Sequence, residues 1–166
     1  MVRLDDIVSF RRDLLFSGAV QVGWLESNPE LAAKAAGHFA FHGPSYHGVA
    51  REALQDPLLR PVDTATFVLD VVERTTGHKT GEPFAIAVAG YGTGKSHLGV
   101  TLASLLGAPG SALAERVIAN LQSADREIGG RVRRYLGDLS QPFLVVAING
   151  MRDFDLTGEI VRQVLS

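Results

Sequence analysis

Residues 84–96 read FAIAVAGYGTGKS, and this stretch decides which fold the chain is expected to adopt. Its first five residues, 84–88, are all apolar and lead into a glycine-rich turn. A short apolar run bounded by turn residues is typical of a strand buried on both faces, as in a parallel sheet. Leucines then recur at helical spacing up to Leu106. A strand, a glycine-rich loop and a helix in this order are the context of a phosphate-binding P-loop.

The loop itself has the residue types that phosphate binding requires. It ends Gly-Lys-Ser, although its first position is Ala89 rather than glycine. Glycines reach positive φ and so let backbone N–H groups turn inward around an anion, and a helix starting near Lys95 favours negative charge there. We expect the Lys95 ammonium to bridge the β- and γ-phosphates and the Ser96 hydroxyl to ligate magnesium. The predicted site for ATP and Mg²⁺ comprises Ala89, Gly90, Tyr91, Gly92, Thr93, Gly94, Lys95, Ser96 and His97, with Lys95 as the catalytic residue and Ser96 as the metal ligand.

The rest of the chain is predicted to be mainly helical, with one more strand. The helices are expected at about residues 3–16, 28–39, 46–54, 63–77, 95–107, 111–121, 125–135 and 156–165, and the second buried strand, FLVVAI, at 143–148. The expected fold class is therefore α/β, an incomplete P-loop NTPase-type parallel sheet flanked by helices. Residues 1–60 are interpreted as a helical N-terminal segment, and residues 61–166 as the first part of a P-loop NTPase domain.

Composition excludes several classes of protein. The chain has no cysteine, which rules out disulfides and thiolate metal sites. Its net charge of −2 gives no general reason to expect nucleic-acid binding. No stretch approaches the roughly 20 apolar residues that span a bilayer, and the N-terminus lacks the pattern of a secretion signal. A cytoplasmic protein without a membrane partner is expected.

One part of an NTPase site is missing from the sequence. Such enzymes need an acidic residue at the end of a second core strand, to hold the magnesium shell or to polarise water. The second predicted strand runs into Asn149-Gly150 instead, and Asp153 and Asp155 follow on a predicted loop. One of these could serve as the acid, but we expect the acidic strand to lie beyond residue 166. The chain is accordingly interpreted as an N-terminal fragment that binds ATP without the full catalytic set.

The stretch GYGTGKSHLGVTLASLL at 90–106, with a helix containing Phe67 upstream, resembles a family of large ATPases. These are the P-loop ATPases of bacterial phage-defence systems, of the BREX type and of the phosphorothioation-linked Dnd and Ssp type. The similarity includes His97 after the magnesium-binding Ser96 and a strand ending in Asn-Gly, as in VVAING at 145–150. It covers residues 61–165. It implies an ATPase that works with other defence proteins and, through them, on DNA. A homo-oligomer is left open as an alternative to a monomer.

Histidines and arginines offer weaker signals. His38, His42 and His47 are spaced as zinc ligands can be, but Gly-Pro at 43–44 interrupts the helix and no acid completes the set, so ordinary packing or surface roles are favoured. A basic cluster could contact DNA phosphates, a partner or a neighbouring subunit's nucleotide, although a solvated helix face is the simpler interpretation. This cluster consists of Arg126, Arg131, Arg133 and Arg134. Trp24 and Tyr46 are expected to fill a core rather than stack on a base.

Three functions are compatible with the motif. The first is an ATP-hydrolysing switch or motor domain of a larger DNA-related defence protein. The second is a small phosphotransferase such as a kinase, with the basic cluster as a lid, although kinases of that size usually place the P-loop near the start. The third is a non-enzymatic module that binds nucleotide for structural stability, which the absent acidic residue favours.

Overall fold

In the computed structural model, residues 16, 18–46, 62–81, 84–90, 92–148 and 155–165 are described. These residues form seven helices and no β-strand. The helices are α1 (Trp24–Ser27), α2 (Pro29–Gly37), α3 (Thr64–Thr75), α4 (Lys95–Gly107), α5 (Ala112–Ala124), α6 (Arg126–Gly137) and α7 (Leu156–Leu165). The helices predicted at 3–16 and 46–54 lie outside the described residues, apart from Phe16 and Tyr46 at their ends. The other predicted helices are confirmed.

The predicted α/β class is wrong, because the described part of the chain is all-α and contains no parallel sheet. A strand exists only where its backbone N–H and C=O groups pair with a neighbouring strand. No hydrogen bond joins 84–88 to another described residue, and the predicted burial is also absent. The side chains of Phe84, Ile86 and Val88 are 64%, 72% and 76% exposed. Apolar composition therefore predicted a strand where the structure has neither strand pairing nor burial.

The second predicted strand, residues 143–148, is likewise not a strand in the structure. Its backbone bonds go to helical elements. The N–H of Phe143 donates to the Leu106 carbonyl at the end of α4 at 3.1 Å. The side-chain amide of Gln163 on α7 pairs with Ala147, accepting from its N–H and donating to its carbonyl, each at 2.8 Å. A single side chain thus occupies the place where a neighbouring strand would pair.

Four helices begin at side chains that cap them. The side-chain oxygens of Asn28, Asp63, Ser111 and Asp125 each accept a hydrogen bond from the backbone N–H three residues later. Such a bond satisfies one of the N–H groups that a helix leaves without an internal partner. The sequence predicted helix starts at these positions, and the structure confirms them as caps.

One hydrophobic core joins the first part of the chain to the rest. Helix α2 packs closely against α4 and α5, while α6 packs against α3 and α5. The largest fully buried side chains are Leu105, Ile118, Leu121, Val68, Val72, Val100, Val117, Val132 and Thr101. Helix α2, which precedes residue 60, therefore helps to position α4, the helix that follows the glycine-rich loop. Among the described residues, no helix combines the length and the apolar composition needed to cross a lipid bilayer.

Asn120 is a buried polar link within this core. Its side-chain amide on α5 donates to the carbonyl of Gly37 at 3.1 Å and to that of Phe39 at 3.4 Å, at the end of α2. A buried polar side chain is tolerated when its hydrogen bonds are made. Asn120 thereby satisfies carbonyls that the end of α2 leaves open and fixes α5 against it.

Helices α5 and α6 approach each other closely at Gly129. A Cβ added there would lie 2.8 Å from the backbone nitrogen of Gln122 and 2.9 Å from its Cα. A Cβ on the next residue, Gly130, would meet nothing within 4 Å. We expect Gly129→Ala to lower the free energy of unfolding by about 1–3 kcal/mol through overpacking. Gly130→Ala should raise it by about 0.5–1 kcal/mol, because alanine favours a helix.

Urea unfolding of the two variants and the parent chain checks this pair. The opposite signs make it a sensitive test, since the two substitutions are chemically identical and adjacent on α6. Equal effects of Gly129→Ala and Gly130→Ala would contradict the close approach of α5 and α6.

Candidate functional site

The glycine-rich loop lies between residues 84–88 and the first turn of α4. Gly92 and Gly94 have φ of +76° and +85°, in the left-handed region that favours glycine. Gly90 does not have a positive φ. Two of the three predicted glycines therefore have a left-handed backbone that other residues rarely adopt, which explains why glycine stands at 92 and 94. Tyr91 lies outside the described residues.

The Lys95 side chain folds back over the loop. Its ammonium donates to the carbonyls of Ala89 at 2.8 Å and Gly90 at 2.6 Å. The hydroxyl of Thr93 also donates to the Gly90 carbonyl, at 2.8 Å. No carboxylate pairs with Lys95 in the part of the chain that the structure describes. The positive charge is held by neutral acceptors alone, which leaves it available to an incoming anion.

The first turn of α4 lacks the capping side chain that α2, α3, α5 and α6 have. Its N-cap is Gly94, which makes no side-chain cap hydrogen bond, and the turn contains no acidic residue. Asparagine, aspartate or serine caps α2, α3, α5 and α6. The first N–H groups of α4 therefore face the exposed loop without a capping side chain, and the partial positive charge of the helix end adds to that of Lys95.

Ser96 is the second residue of α4 and is exposed beside Lys95. No group of three or more His, Asp or Glu side chains that could hold a metal ion occurs within the described ranges. Of the two suggested acids, Asp153 lies outside those ranges. Asp155 is used at the start of α7, where its carboxylate accepts from the N–H of Gly158 at 2.8 Å. A metal ion here would have Ser96 as its protein ligand, with oxygen ligands from phosphates and water.

The side chain of His97 packs against α2 and the residues that follow it. Its Nε2 donates to the carbonyl of Ala35 at 2.6 Å, and its ring lies 4.9 Å from that of Phe39. Burial lowers the pKa of the His97 imidazole, and the nearby charge of His38 acts in the same direction. The neutral ring therefore connects the first turn of α4 to α2. The sequence placed His97 among the nucleotide-binding residues, and the structure places its side chain in this packing contact.

Phe16 is a neighbour of this contact that the sequence did not single out. Its ring centroid lies 5.7 Å from that of His97, 6.1 Å from that of His38 and 6.3 Å from that of Trp24. Residues 16, 38 and 97 are far apart in the sequence, so no spacing pattern could have predicted that they meet. We call Phe16, Trp24, His38, Phe39 and His97 the aromatic cluster.

The histidines for which packing or surface roles were favoured make local contacts. His38 donates from Nδ1 to the Lys34 carbonyl at 2.6 Å, and His42 stacks on Tyr46 with 4.1 Å between centroids. These two histidines make different contacts, and His47 lies outside the described residues. Trp24 packs against the core as predicted, whereas Tyr46 is 50% exposed and does not fill it.

The basic cluster is a partly neutralised face of α6. Arg131 forms an ion pair with Glu73 of α3, and Arg133 pairs with Glu115 of α5 at 2.8 Å. Arg126 and Arg134 are exposed and make no ion pair within the described ranges. This arrangement is that of a solvated helix face, the simpler of the interpretations that the sequence allowed.

The structure thus brings together Lys95, Ser96 and the two left-handed glycines at one exposed loop, beside an uncapped helix start. Comparison with known proteins adds nothing to this geometry. No protein-family model matches the chain, and neither does any curated protein or solved structure.

Proposed function

We propose that residues 89–96 bind the phosphates of a nucleoside triphosphate, ATP, together with Mg²⁺. The observation that carries the proposal is the Lys95 ammonium, held over the loop by the carbonyls of Ala89 and Gly90 without a carboxylate partner. A lysine held by neutral acceptors at the exposed start of a helix is a cation ready to exchange its partners for phosphate oxygens.

Each residue then has a defined task. The left-handed backbone at Gly92 and Gly94 directs N–H groups to the phosphates, and the uncapped N–H groups of α4 add to them. Lys95 leaves the two loop carbonyls and contacts the β- and γ-phosphates. The Ser96 hydroxyl ligates Mg²⁺, which neutralises part of the phosphate charge.

In a longer protein, this site would serve ATP hydrolysis. The resemblance of 90–106 to the ATPases of BREX-type and phosphorothioation-linked defence systems supports that role, with other defence proteins as partners and DNA contacted through them. We place the protein in the cytoplasm. A homo-oligomer in which another subunit supplies an acid or an arginine is compatible with the exposed loop.

A specific observation favours the non-enzymatic module as the second candidate for this chain alone. Asp155, the only suggested acid within the described ranges, is committed to capping α7. The kinase alternative loses support, because Arg131 and Arg133, two residues of its suggested lid, are paired with Glu73 and Glu115. We therefore expect this chain to bind ATP and to hydrolyse it slowly or not at all.

Magnesium dependence tests the proposal directly. ATP at about 100 times its Kd stabilises a protein by about 2.7 kcal/mol, which corresponds to a rise in Tm of roughly 5–10 °C for a chain of this size. With Mg²⁺ present we expect a shift of this order, and with EDTA a smaller one. Ser96→Ala should remove most of the difference between the two conditions. The measurement is thermal unfolding followed by far-UV circular dichroism.

Ser123→Ala is the matched control, since Ser123 is an exposed helical serine whose hydroxyl donates to the Ala119 carbonyl. It should leave both shifts as they are in the parent chain. No stabilisation of the parent chain by ATP with Mg²⁺ would refute the proposed function.

A further inference from the structure

The aromatic cluster lies next to the proposed phosphate site. His97 follows Ser96 directly in the first turn of α4, and its ring contacts Phe16 on one side and Phe39 on the other. The ribose separates the base of a nucleotide from its phosphates, so a base must be bound beside the loop rather than in it. The cluster lies where the first turn of α4, one residue after Ser96, meets α2.

Phe16, His38 and His97 are partly exposed, whereas Phe39 is buried. The rings of Trp24, His38 and His97 are inclined to that of Phe16 by 60°, 52° and 48°. No described ring therefore lies parallel to Phe16, which is the arrangement that a stacked base would take. Phe16 is thus a partly exposed ring on which no ring of the described residues is stacked.

We propose that the nucleobase of the bound nucleotide stacks on the aromatic cluster, with Phe16 as the contacting ring and His38 at its edge. This inference rests on the proposed function, because the phosphates bring the base to this place. Stacking uses the π-face that every base has, so the cluster contributes affinity for nucleosides as a class. The role of His97 is to position Phe16. Its hydrogen bond to the Ala35 carbonyl fixes the His97 ring, against which Phe16 packs.

The Nε2–H of His97 is committed to the Ala35 carbonyl, and this bond holds the ring against α2 beside Phe16.

A comparison of two ligands separates the contribution of the base to the binding affinity from that of the phosphates. ATP and inorganic triphosphate, each with Mg²⁺, are titrated into the chain and the affinity is measured by isothermal titration calorimetry. In the parent chain we expect both to bind, and ATP to bind more tightly. Phe16→Ala should weaken ATP binding by about tenfold and leave triphosphate binding unchanged, because one stacking contact is lost. Phe16→Trp should retain ATP binding.

Tyr46→Ala is the control, since Tyr46 is an exposed ring that stacks on His42. It should change neither affinity. If circular dichroism shows that Phe16→Ala does not fold, His38→Ala takes its place, and the same selective loss of ATP binding is expected.

The outcomes distinguish this inference from the proposed function. Equal affinity of the parent chain for ATP and triphosphate would overturn the stacking proposal alone. An equal loss of both ligands in Phe16→Ala, or no loss of either, would also overturn it. Binding of neither ligand by the parent chain would overturn the proposed function, and the stacking proposal with it.

Discussion

Replacing Lys95 by alanine should abolish the stabilisation that ATP with Mg²⁺ gives to this chain. The ammonium is the only side-chain cation at the described part of the loop, and its present acceptors are two backbone carbonyls. Loss of charge-assisted bonds to the phosphates removes the largest single attraction for the ligand. A rise in Tm of roughly 5–10 °C in the parent chain should therefore fall to nearly zero. Thermal unfolding with and without ATP is the measurement.

The unliganded variant should be almost as stable as the parent chain. Lys95 is exposed, and substitutions at such positions usually change stability by less than about 0.5 kcal/mol. Lys34→Ala provides the matched control, because Lys34 is an exposed lysine on α2. Full ATP stabilisation of Lys95→Ala would show that the loop is not the binding site.

Truncation of Leu105 should have the largest effect on folding. Leu105 lies near the end of α4 and its side chain is completely buried. A buried leucine replaced by alanine costs its transfer free energy and leaves a cavity, which together amount to about 2–5 kcal/mol. Because typical domains have only about 5–15 kcal/mol of stability, Leu105→Ala should shift the urea midpoint strongly.

Leu144→Ala is the comparison, since that leucine is 69% exposed in the segment 143–148. It should change the free energy of unfolding by less than about 0.5 kcal/mol. A cost below about 1 kcal/mol for Leu105→Ala would mean that α4 does not belong to the core, and the position of the loop would then lose its support.

Local signals in the sequence predicted the helices well. Caps such as Asp63 and Ser111 act within three residues, and the break at Gly107-Ala108-Pro109 ends α4 where the pattern placed it. The loop was predictable for the same reason, because the demand for glycine at Gly92 and Gly94 is a property of their own backbone. Interactions between residues that are close in the sequence can therefore be predicted from local sequence patterns.

Features that depend on distant parts of the chain were not predictable. The apolar run at 84–88 has the composition of a buried strand. Composition alone does not predict whether a neighbouring strand is present to pair with it. The side chain of His97 contacts Ala35 of α2, which is 62 residues away in the sequence, and no local pattern predicted this contact. Contacts between residues that are distant in the sequence cannot be predicted from the pattern of a single sequence.

The segments 84–88 and 143–148 differ in whether a side chain already occupies their backbone groups. At Ala147, the amide of Gln163 already occupies one N–H and one carbonyl, so another chain cannot add there without displacing it. The segment 84–88 has no such protection among the described residues, carries no charge and exposes Phe84, Ile86 and Val88 to water. Uncapped, uncharged β-formers are the usual starting points of intermolecular β-assembly. Precipitation in concentrated solution would therefore begin at residues 84–88, and a lysine in place of Ile86 would be the change that opposes it.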